Sequence, residues 1–527
     1  MVPEFKNIRE IVENSSKVYS ERLAFKIKHK NGKDFTYEDV TFSRLRKDAE
    51  SLGTYLLNNN YQDKKIVIVG KNSYEWMVVY LATLSINAVI VPIDRMLPEN
   101  EFADQLIRSE ASLIFHDKSF DSFFEAHSEY THINTESEEF KELLKSEASE
   151  QYKNVTIDCD KTSLLLFTSG TTSQSKAVML SHGNIASNVY ALTLWEKFYP
   201  EDVNMAFLPF HHSLGMTQMV LFIANGMCNV FCEGLRIAKC LNEYNISTLV
   251  CVPRIVDEIK NTIFSKLEST GKLETVKKAL KLTAFLKKFG IDIRRKVFKD
   301  VIAALGGSLR MIIVGAAPAS PETLEFFNGI GILTVQGYGL TETSPVISAE
   351  NDTHMRKGSV GPALPGVEVK IVDKDENGIG EIVAKGPNIM KGYYKNDEAN
   401  AAVFHDGYFH TGDMGYVDKD NFIFITGRKK NVIVLSNGKN VFPEELEALI
   451  CECDAVSECV VYENKEETDT LSAKIVHKRD VERADAEKRI AEAIESLNNR
   501  VVHYKQIKSY EVTDVEFEKT TTLKIKR

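Results

Sequence analysis

A chain of 527 residues has room for roughly three domains, or for one large domain with a satellite. Its 43% hydrophobic and 27% charged residues are ordinary globular values, which excludes a mostly disordered, collagen-like or coiled-coil chain. A net charge of −10 leaves no electrostatic footprint for duplex nucleic acid, so no nucleic-acid partner is expected.

The opening residues interleave Glu4, Lys6, Arg9, Glu10, Glu13 and Lys17, so no apolar run suits a signal peptide and secretion is disfavoured. Apolar stretches such as Met77 to Leu84 and Ile86 to Ile93 fall well short of the roughly 20 residues that span a bilayer, and no transmembrane helix is expected. Eight cysteines are thinly spread with no C-x-x-C pair, which points to free thiols in a reducing cytoplasm rather than to disulfides or zinc.

Taken in chain order, the first strong pattern is KIVIVG from Lys65, a helical stretch through Trp76 to Leu84, and AVIVP ending at Pro92, a strand, helix and strand. The alternation returns in Ser247 to Pro253 and Leu309 to Pro318, where short apolar runs abut Gly or Pro, and predicts a doubly wound α/β body. From about Gly358 the texture changes to alternating segments with Asn-Gly punctuation, and VEVKIVDKDENGIGEIVAKG predicts an antiparallel hairpin in a β-rich subdomain. Near Arg428 a small α+β domain begins, with a strand over Val432 to Leu435 and a helix whose first turn holds Pro443 and Glu444. The expected division is therefore 1–427 and 428–527. One stretch departs from the acidic average: Lys260 to Asp300 holds twelve Lys or Arg against four Asp or Glu, a net of +8. Its pattern is helical and basic, which suits a membrane surface, acyl delivery, or an ordinary solvated insertion.

The sharpest local signal for chemistry is LLLFTSGTTSQSKAVMLSHGN, Leu164 to Asn184. After a buried strand come glycine and small hydroxyl residues, then a lysine. Backbone N–H groups, the hydroxyls of Thr168, Ser169, Thr171 and Thr172, and the Lys176 ammonium are donors and charge for a polyphosphate, with a flexible turn as the plain alternative. The loop is not a Walker A loop, because G-x-x-x-x-G-K-[ST] is absent from it. Downstream come QGYGLTE (Gln336 to Glu342), YFHTGD (Tyr408 to Asp413), GRKK (Gly427 to Lys430) and a terminal TTTLKIKR.

Together with TSGTT and Lys176, these motifs resemble, in order, those of the AMP-forming adenylate synthetases, which include acyl-CoA synthetases, beetle luciferases and peptide-synthetase adenylation domains. The resemblance implies conversion of a carboxylate with ATP into an acyl-adenylate, release of pyrophosphate, and displacement of AMP by a thiol. It implies that Thr168, Ser169, Gly170, Thr171, Thr172 and Lys176 hold phosphate, and that Gly315, Ala316 and Ala317 of GAAP line the adenine edge. Tyr338 is carried over as the face stacking on adenine, with Gly337 and Gly339 permitting close backbone approach, and Gln336 is implied with them at the nucleotide. Thr341 is expected at the α-phosphate, and Glu342 as the hard oxygen ligand of magnesium. Asp413 and Arg428 are the implied ribose partners, with a surface ion pair as the alternative. Lys524 is the lysine that reaches from a mobile small domain to the α-phosphate, and Lys430 stands at the hinge of its rotation. Gly438 resembles the glycine lining the pantetheine tunnel.

Four positions depart from the family pattern: Ser173, Ser175 and Ala177, where glycine, proline and glycine are usual, and Leu523, where glycine is usual. They leave a noncatalytic nucleotide- or acyl-binding relative as the contrasting reading. LPFHHSLGM (Leu208 to Met216) resembles the acyl-pocket wall and puts His212 near the substrate carboxylate. The long basic insertion between VPRIVDEI and LGGSLRMIIVGAAP resembles long-chain fatty acyl-CoA synthetases more than acetyl, aryl or amino-acid activators. The expected co-substrates are therefore ATP with Mg2+, a long-chain fatty acid and coenzyme A. An acyl carrier protein is the alternative acceptor, since 260–300 offers it a basic patch. The expected location is the cytoplasm, with peripheral contact at the inner membrane surface.

Overall fold

The computed structural model describes residues 2–32, 34–168, 175–232, 237–435, 439–464, 470–519 and 525. The chain forms two compact units: one takes the chain to Thr168, Ser175–Glu368 and Lys385–Ala402, the other Val369–Ala384 and the chain from Val403. The boundary expected after Gly427 falls inside the second unit, within strand Ile423–Arg428.

The first unit is built on two largely parallel sheets, as the strand and helix alternation predicts. One runs in the order Gly392–Tyr393, Lys176–Ser181, Thr162–Thr168, Val89–Ile93, Lys65–Val69, Leu113–His116, His132–Asn134. The other runs Val346–Ala349, Leu333–Gly339, Met311–Val314, Thr248–Cys251, Val203–Ala206, Cys228–Phe231, Leu23–Asn31, Asp34–Thr41. The central strands read as continuous apolar runs because both faces are covered. Helices Tyr74–Leu84 and Ser213–Ala224 are apolar all round and almost wholly buried, the composition of a helix layer inside a protein rather than on its surface. The antiparallel hairpin Leu23–Thr41, which extends the second sheet, has no counterpart in the sequence reading. The basic insertion is helical, as expected: Pro253–Ser269, Leu273–Lys287, Arg294–Val297 and Lys299–Ala304.

The second unit carries strands Glu368–Val372 and Gly380–Lys385, adjacent as the Asn-Gly signal predicts, continued by Tyr408–Val417 and Ile423–Arg428. Beyond them, strands Val456–Glu463, Leu471–His477 and Ile507–Thr513 form a sheet. Helices Pro443–Ile450 and Arg483–Arg500 bury Leu446, Ile450, Ile490, Ile494 and Leu497 in the same core as that sheet. Pro443 opens its helix, where a missing N–H costs nothing. The strand expected over Val432 to Leu435 shrinks to Ile433–Val434, paired with Asn440–Val441. Among the described residues no helix is long and apolar enough to cross a membrane.

Candidate active site

The described residues on either side of the Ser/Thr/Gly stretch are paired strands. Strand Thr162–Thr168 pairs antiparallel with Lys176–Ser181, Thr168 opposite Lys176, and the Thr168 hydroxyl donates to the Lys176 carbonyl (3.3 Å). Ser169, Gly170, Thr171, Thr172 and Ser173 lie outside the described residues. Lys176 is nonetheless placed: its Nζ stands 4.9 Å from the centre of the Tyr393 ring. Two of the departures have a local account. Ser175 is clamped by Arg108, whose guanidinium donates to the Ser175 carbonyl (2.6 Å) and hydroxyl (3.1 Å). Ala177 lies in extended strand backbone, opposite Phe167, where no left-handed φ demands glycine.

Tyr393 was not singled out from the sequence, yet it connects two motifs. Strand Gly392–Tyr393 adds to the edge of this strand pair, Tyr393 opposite Val178. The buried Tyr393 hydroxyl then donates to Glu342 Oε1 at 2.9 Å. Burial, and then the Glu342 charge, push the phenol well above its ordinary range, so it stays a donor across the physiological pH span. Met390 N–H holds the Glu342 carbonyl at 2.8 Å. Lys176 and Glu342, a cation and a carboxylate from separate motifs, thus flank one tyrosine.

Among the described residues there is no group of three or more His, Cys, Asp or Glu fit to hold a metal. Glu342 Oε2 has no hydrogen-bond partner among them, which leaves one carboxylate oxygen open to a cation. Magnesium is typically held by one or two carboxylates, with substrate phosphates and water completing its octahedron, so this donor set fits it.

QGYGLTE begins on strand Leu333–Gly339, where space requires glycine at 339 and is tight at 337. A Cβ at Gly339 would lie 1.8 Å from the Pro345 carbonyl oxygen, and one at Gly337 3.3 Å from that of Ser348. Gln336 is tied down by Nε2 donating to the Ser359 carbonyl (2.7 Å). Its N–H donates to the buried Glu350 carboxylate (3.3 Å), which also accepts from Arg356 N–H (3.1 Å). Burial prevails over these bonds and raises Glu350 to about 7. Tyr338 is largely buried, its backbone opposite Ser348.

GAAP follows strand Met311–Val314 at its carboxyl end, the edge at which open α/β sheets bind ligands. Gly315 donates to the Cys251 carbonyl (3.2 Å), and Ala316 holds φ at 71°, an uncommon value for a residue with a Cβ. From the same edge, after Val203–Ala206, the chain passes through LPFHHS to helix Ser213–Ala224, with His212 at the N-cap. Ser213 Oγ lies 3.4 Å from Thr341 Oγ1, so LPFHHSLGM and the end of QGYGLTE meet. Asn72 pins this segment, donating to the Leu208 carbonyl (2.8 Å) and accepting from Phe210 N–H (3.0 Å). Asp94, just past strand Val89–Ile93, faces His211 with Oδ1 3.4 Å from Nε2, and the His211 and His212 rings are 4.2 Å apart. Burial opposes the Asp94 charge, but the hydrogen bond to His211 wins and holds the carboxyl at about 2. Asp94 and Asn72 carry no local motif, and only long-range packing brings them to the segment.

In the second unit Asp413 and Arg428 stand opposite each other on paired strands, Nε to Oδ1 2.9 Å. Asp413 is buried and Arg428 partly exposed. Beside them Lys429 pairs with buried Glu381 (2.7 Å), which also meets His410 (3.0 Å). Lys430 lies in the short 3-10 turn Lys429–Asn431. Gly438, Leu523 and Lys524 lie outside the described residues, and Lys519 and Ile525, flanking the last two, form an antiparallel bridge.

Comparison with known proteins shows the family and the fold. Residues 12–394 match the AMP-binding enzyme family and 430–527 its C-terminal domain. The chain is 34% identical over 321 residues to the peroxisomal long chain acyl-CoA synthetase 7 of Arabidopsis thaliana, a match covering 56% of this chain and 45% of that protein. The chain thus aligns with less than half the length of that relative. A long-chain-fatty-acid–CoA ligase of Mycobacterium bovis is 26% identical over 556 residues, covering 94% of this chain and 90% of its own. The solved O-succinylbenzoate coenzyme A synthetase of Bacillus subtilis, in complex with ATP and magnesium ion, superposes with a TM-score of 0.75 at 24% identity, over 98% of each chain, and shares the fold. With 12–394 matched as one model and 430–527 as its C-terminal domain, the chain belongs to the AMP-binding enzyme family.

Proposed function

We propose that the protein is an ATP-dependent fatty acid–CoA ligase that activates a long-chain acid in two steps. In the first, a carboxylate oxygen of the acid attacks the α-phosphorus of ATP, the bond to the pyrophosphate oxygen breaks, and acyl-AMP forms. In the second, the sulfur of coenzyme A attacks the acyl carbon, the bond to the AMP oxygen breaks, and the thiol proton passes to solvent. The observation that carries this reading is the Lys176–Tyr393–Glu342 arrangement, which sets a fixed cation and a free carboxylate oxygen beside the strands that flank the Ser/Thr/Gly stretch.

Thr168, Ser169, Gly170, Thr171, Thr172 and Lys176 hold the β- and γ-phosphates. Magnesium, when bound, supplies positive charge to the phosphates, and Glu342 is the residue that would hold it. Tyr338 stacks on adenine against Gly315, Ala316, Ala317, Gln336, Gly337 and Gly339, while Asp413 accepts from the ribose hydroxyls with Arg428 beside it. Thr341 donates to the α-phosphate, and His212, at the N-cap of helix Ser213–Ala224, orients the incoming carboxylate. Lys524 stabilises charge at the α-phosphorus during the first step, and movement of 428–527 about Lys430 brings Gly438 to the pantetheine arm for the second.

Coenzyme A is the acceptor in this proposal, in keeping with relatives named as acyl-CoA synthetases and ligases; an acyl carrier protein is the competing acceptor. The reaction belongs to the cytoplasm, with peripheral membrane contact through 260–300. The clamped Ser175 and the extended Ala177 favour an active enzyme over a noncatalytic relative. The test is Lys524→Ala: adenylate formation is abolished while thioester formation from supplied acyl-adenylate survives, and loss of both steps together contradicts the division of labour.

A further inference from the structure

Two of the cysteines meet. Cys232 follows strand Cys228–Phe231, and Cys240 lies on helix Ile237–Glu243, whose Ile237, Cys240 and Leu241 belong to the core of the second sheet. Their spacing of eight residues forms no motif, yet the fold brings the two sulfurs to 2.6 Å. Both are thiols in this structure, and a disulfide bond of about 2.0 Å needs only a small further approach. A hydrogen bond from the Cys232 thiol, opposed by burial and by Glu243 and helped by Lys28 and Lys239, holds the Cys240 thiol below its ordinary range. Glu243 is itself engaged by the Lys28 ammonium and the Tyr37 hydroxyl. Burial instead pushes Cys228 up to about 11 and Cys451 up to about 12, and raises Cys251 as well. Cys240 is buried and Cys232 partly exposed, so a small oxidant can reach the pair from the Cys232 side. The pair is also joined to a segment of the candidate site. Strand Cys228–Phe231 runs beside Val203–Ala206, which leads into LPFHHS, and the Phe231 ring, next to Cys232, lies 6.1 Å from that of Phe210 in that segment.

We propose that Cys232 and Cys240 are a redox modification site, which a hydroperoxide converts to a reversible disulfide that weakens acceptance of the acid through Phe231 and Phe210. The Cys240 thiolate attacks the peroxide: a sulfur–oxygen bond forms, the O–O bond breaks, and the departing oxygen takes up a proton and leaves as water, or as an alcohol from an organic hydroperoxide. The Cys232 sulfur then attacks the sulfenic sulfur of Cys240. The S–S bond forms, the S–O bond breaks, and the hydroxyl leaves as water with the Cys232 thiol proton. The two thiols together lose two electrons, and the peroxide gains the same two. A dithiol reductant reverses the change by exchange. The effect on the acid rests on the ligase reading, whereas formation of the disulfide does not.

The test is brief exposure of the full chain to a small excess of hydrogen peroxide, alkylation of the remaining thiols, and tryptic mapping. Trypsin cuts after Arg236 and Lys239, so the two cysteines fall on separate peptides. The expected product is those two peptides joined by a bond that dithiothreitol breaks. The KM for the acid should rise severalfold in the oxidised protein while the KM for ATP stays unchanged, and dithiothreitol should restore it. Cys232→Ala/Cys240→Ala should keep the parent's KM before and after peroxide. No joined peptide, preferential joining of either cysteine to a different one, or a joined pair with an unaltered KM for the acid would overturn the proposal. Mapping does not require turnover, so a protein that joins the pair yet activates no acid would sink the ligase reading and leave the modification site standing.

Discussion

Removing one oxygen, in Tyr393→Phe, tests whether the Tyr393 hydroxyl positions Glu342. The ring stays, so the 4.9 Å contact with the Lys176 ammonium is kept, and only the 2.9 Å bond to Glu342 Oε1 is lost. A hydrogen bond to a charged group contributes about 1.5–3 kcal/mol. Part of that is recovered when water reaches the freed carboxylate, and a residual loss of about 1.4 kcal/mol is a factor of ten in an equilibrium constant. The half-saturating magnesium concentration for pyrophosphate release should therefore rise about tenfold, with the rate at saturating magnesium within about threefold of the parent. The assay is a magnesium titration at fixed ATP and acid, with thermal unfolding as the control for packing. An unchanged magnesium response with a depressed maximal rate would refute the reasoning, because the hydroxyl would then act on the transition state and not on ligand geometry.

Other residues give further predictions. Gly339→Ala places a Cβ 1.8 Å from the Pro345 carbonyl oxygen, so strand Leu333–Gly339 must shift; nucleotide binding by calorimetry should fall at least tenfold, and an unaltered affinity would remove the close-packing account. Asp94→Asn keeps the shape but removes the charge facing His211, and the KM for the acid should rise severalfold while the KM for ATP stays put; equal changes in both would argue against a role at the carboxylate. The depressed Asp94 carboxyl adds stability that is present above about pH 4 and lost as pH falls through about 2, so Asp94→Asn should lower stability at neutral pH, as read by denaturant unfolding. Glu350 has the opposite sign. Its folded value near 7 exceeds the unfolded one, the native state binds the extra proton between about 4.5 and 7, and stability falls as pH rises through that window. Glu350→Gln should cancel this contribution, at most about 3 kcal/mol, so that the variant gains on the parent between about pH 5 and pH 8; a constant difference would show that Glu350 does not titrate there.

Much of the body was legible because its signals are local. The apolar run Lys65–Val69, the Gly and Pro at the ends of buried strands, and Pro443 at its helix start each act within a few residues. The glycine at 339 was equally legible as a backbone requirement, since a Cβ there would meet the Pro345 carbonyl oxygen. Tyr393 was not, because its role depends on strand Gly392–Tyr393 joining Lys176–Ser181 across more than two hundred residues, a register that no local pattern encodes. Asp94 and Asn72 were missed for the same reason: their partners lie on a distant segment, and neither carries a motif. The strand at Val432 shrank because, among the described residues, Ile433–Val434 pairs only with Asn440–Val441. The basic insertion was recognised from charge, but only the structure separates its buried stripe from its exposed apolar one.

The most direct test of the central claim is pyrophosphate release with ATP and magnesium across saturated acids from short to long chains, with and without coenzyme A. The account predicts release that peaks with long-chain acids and turns over repeatedly only when coenzyme A is present. No release with any acid, or a single burst that coenzyme A does not relieve, would contradict a fatty acid–CoA ligase.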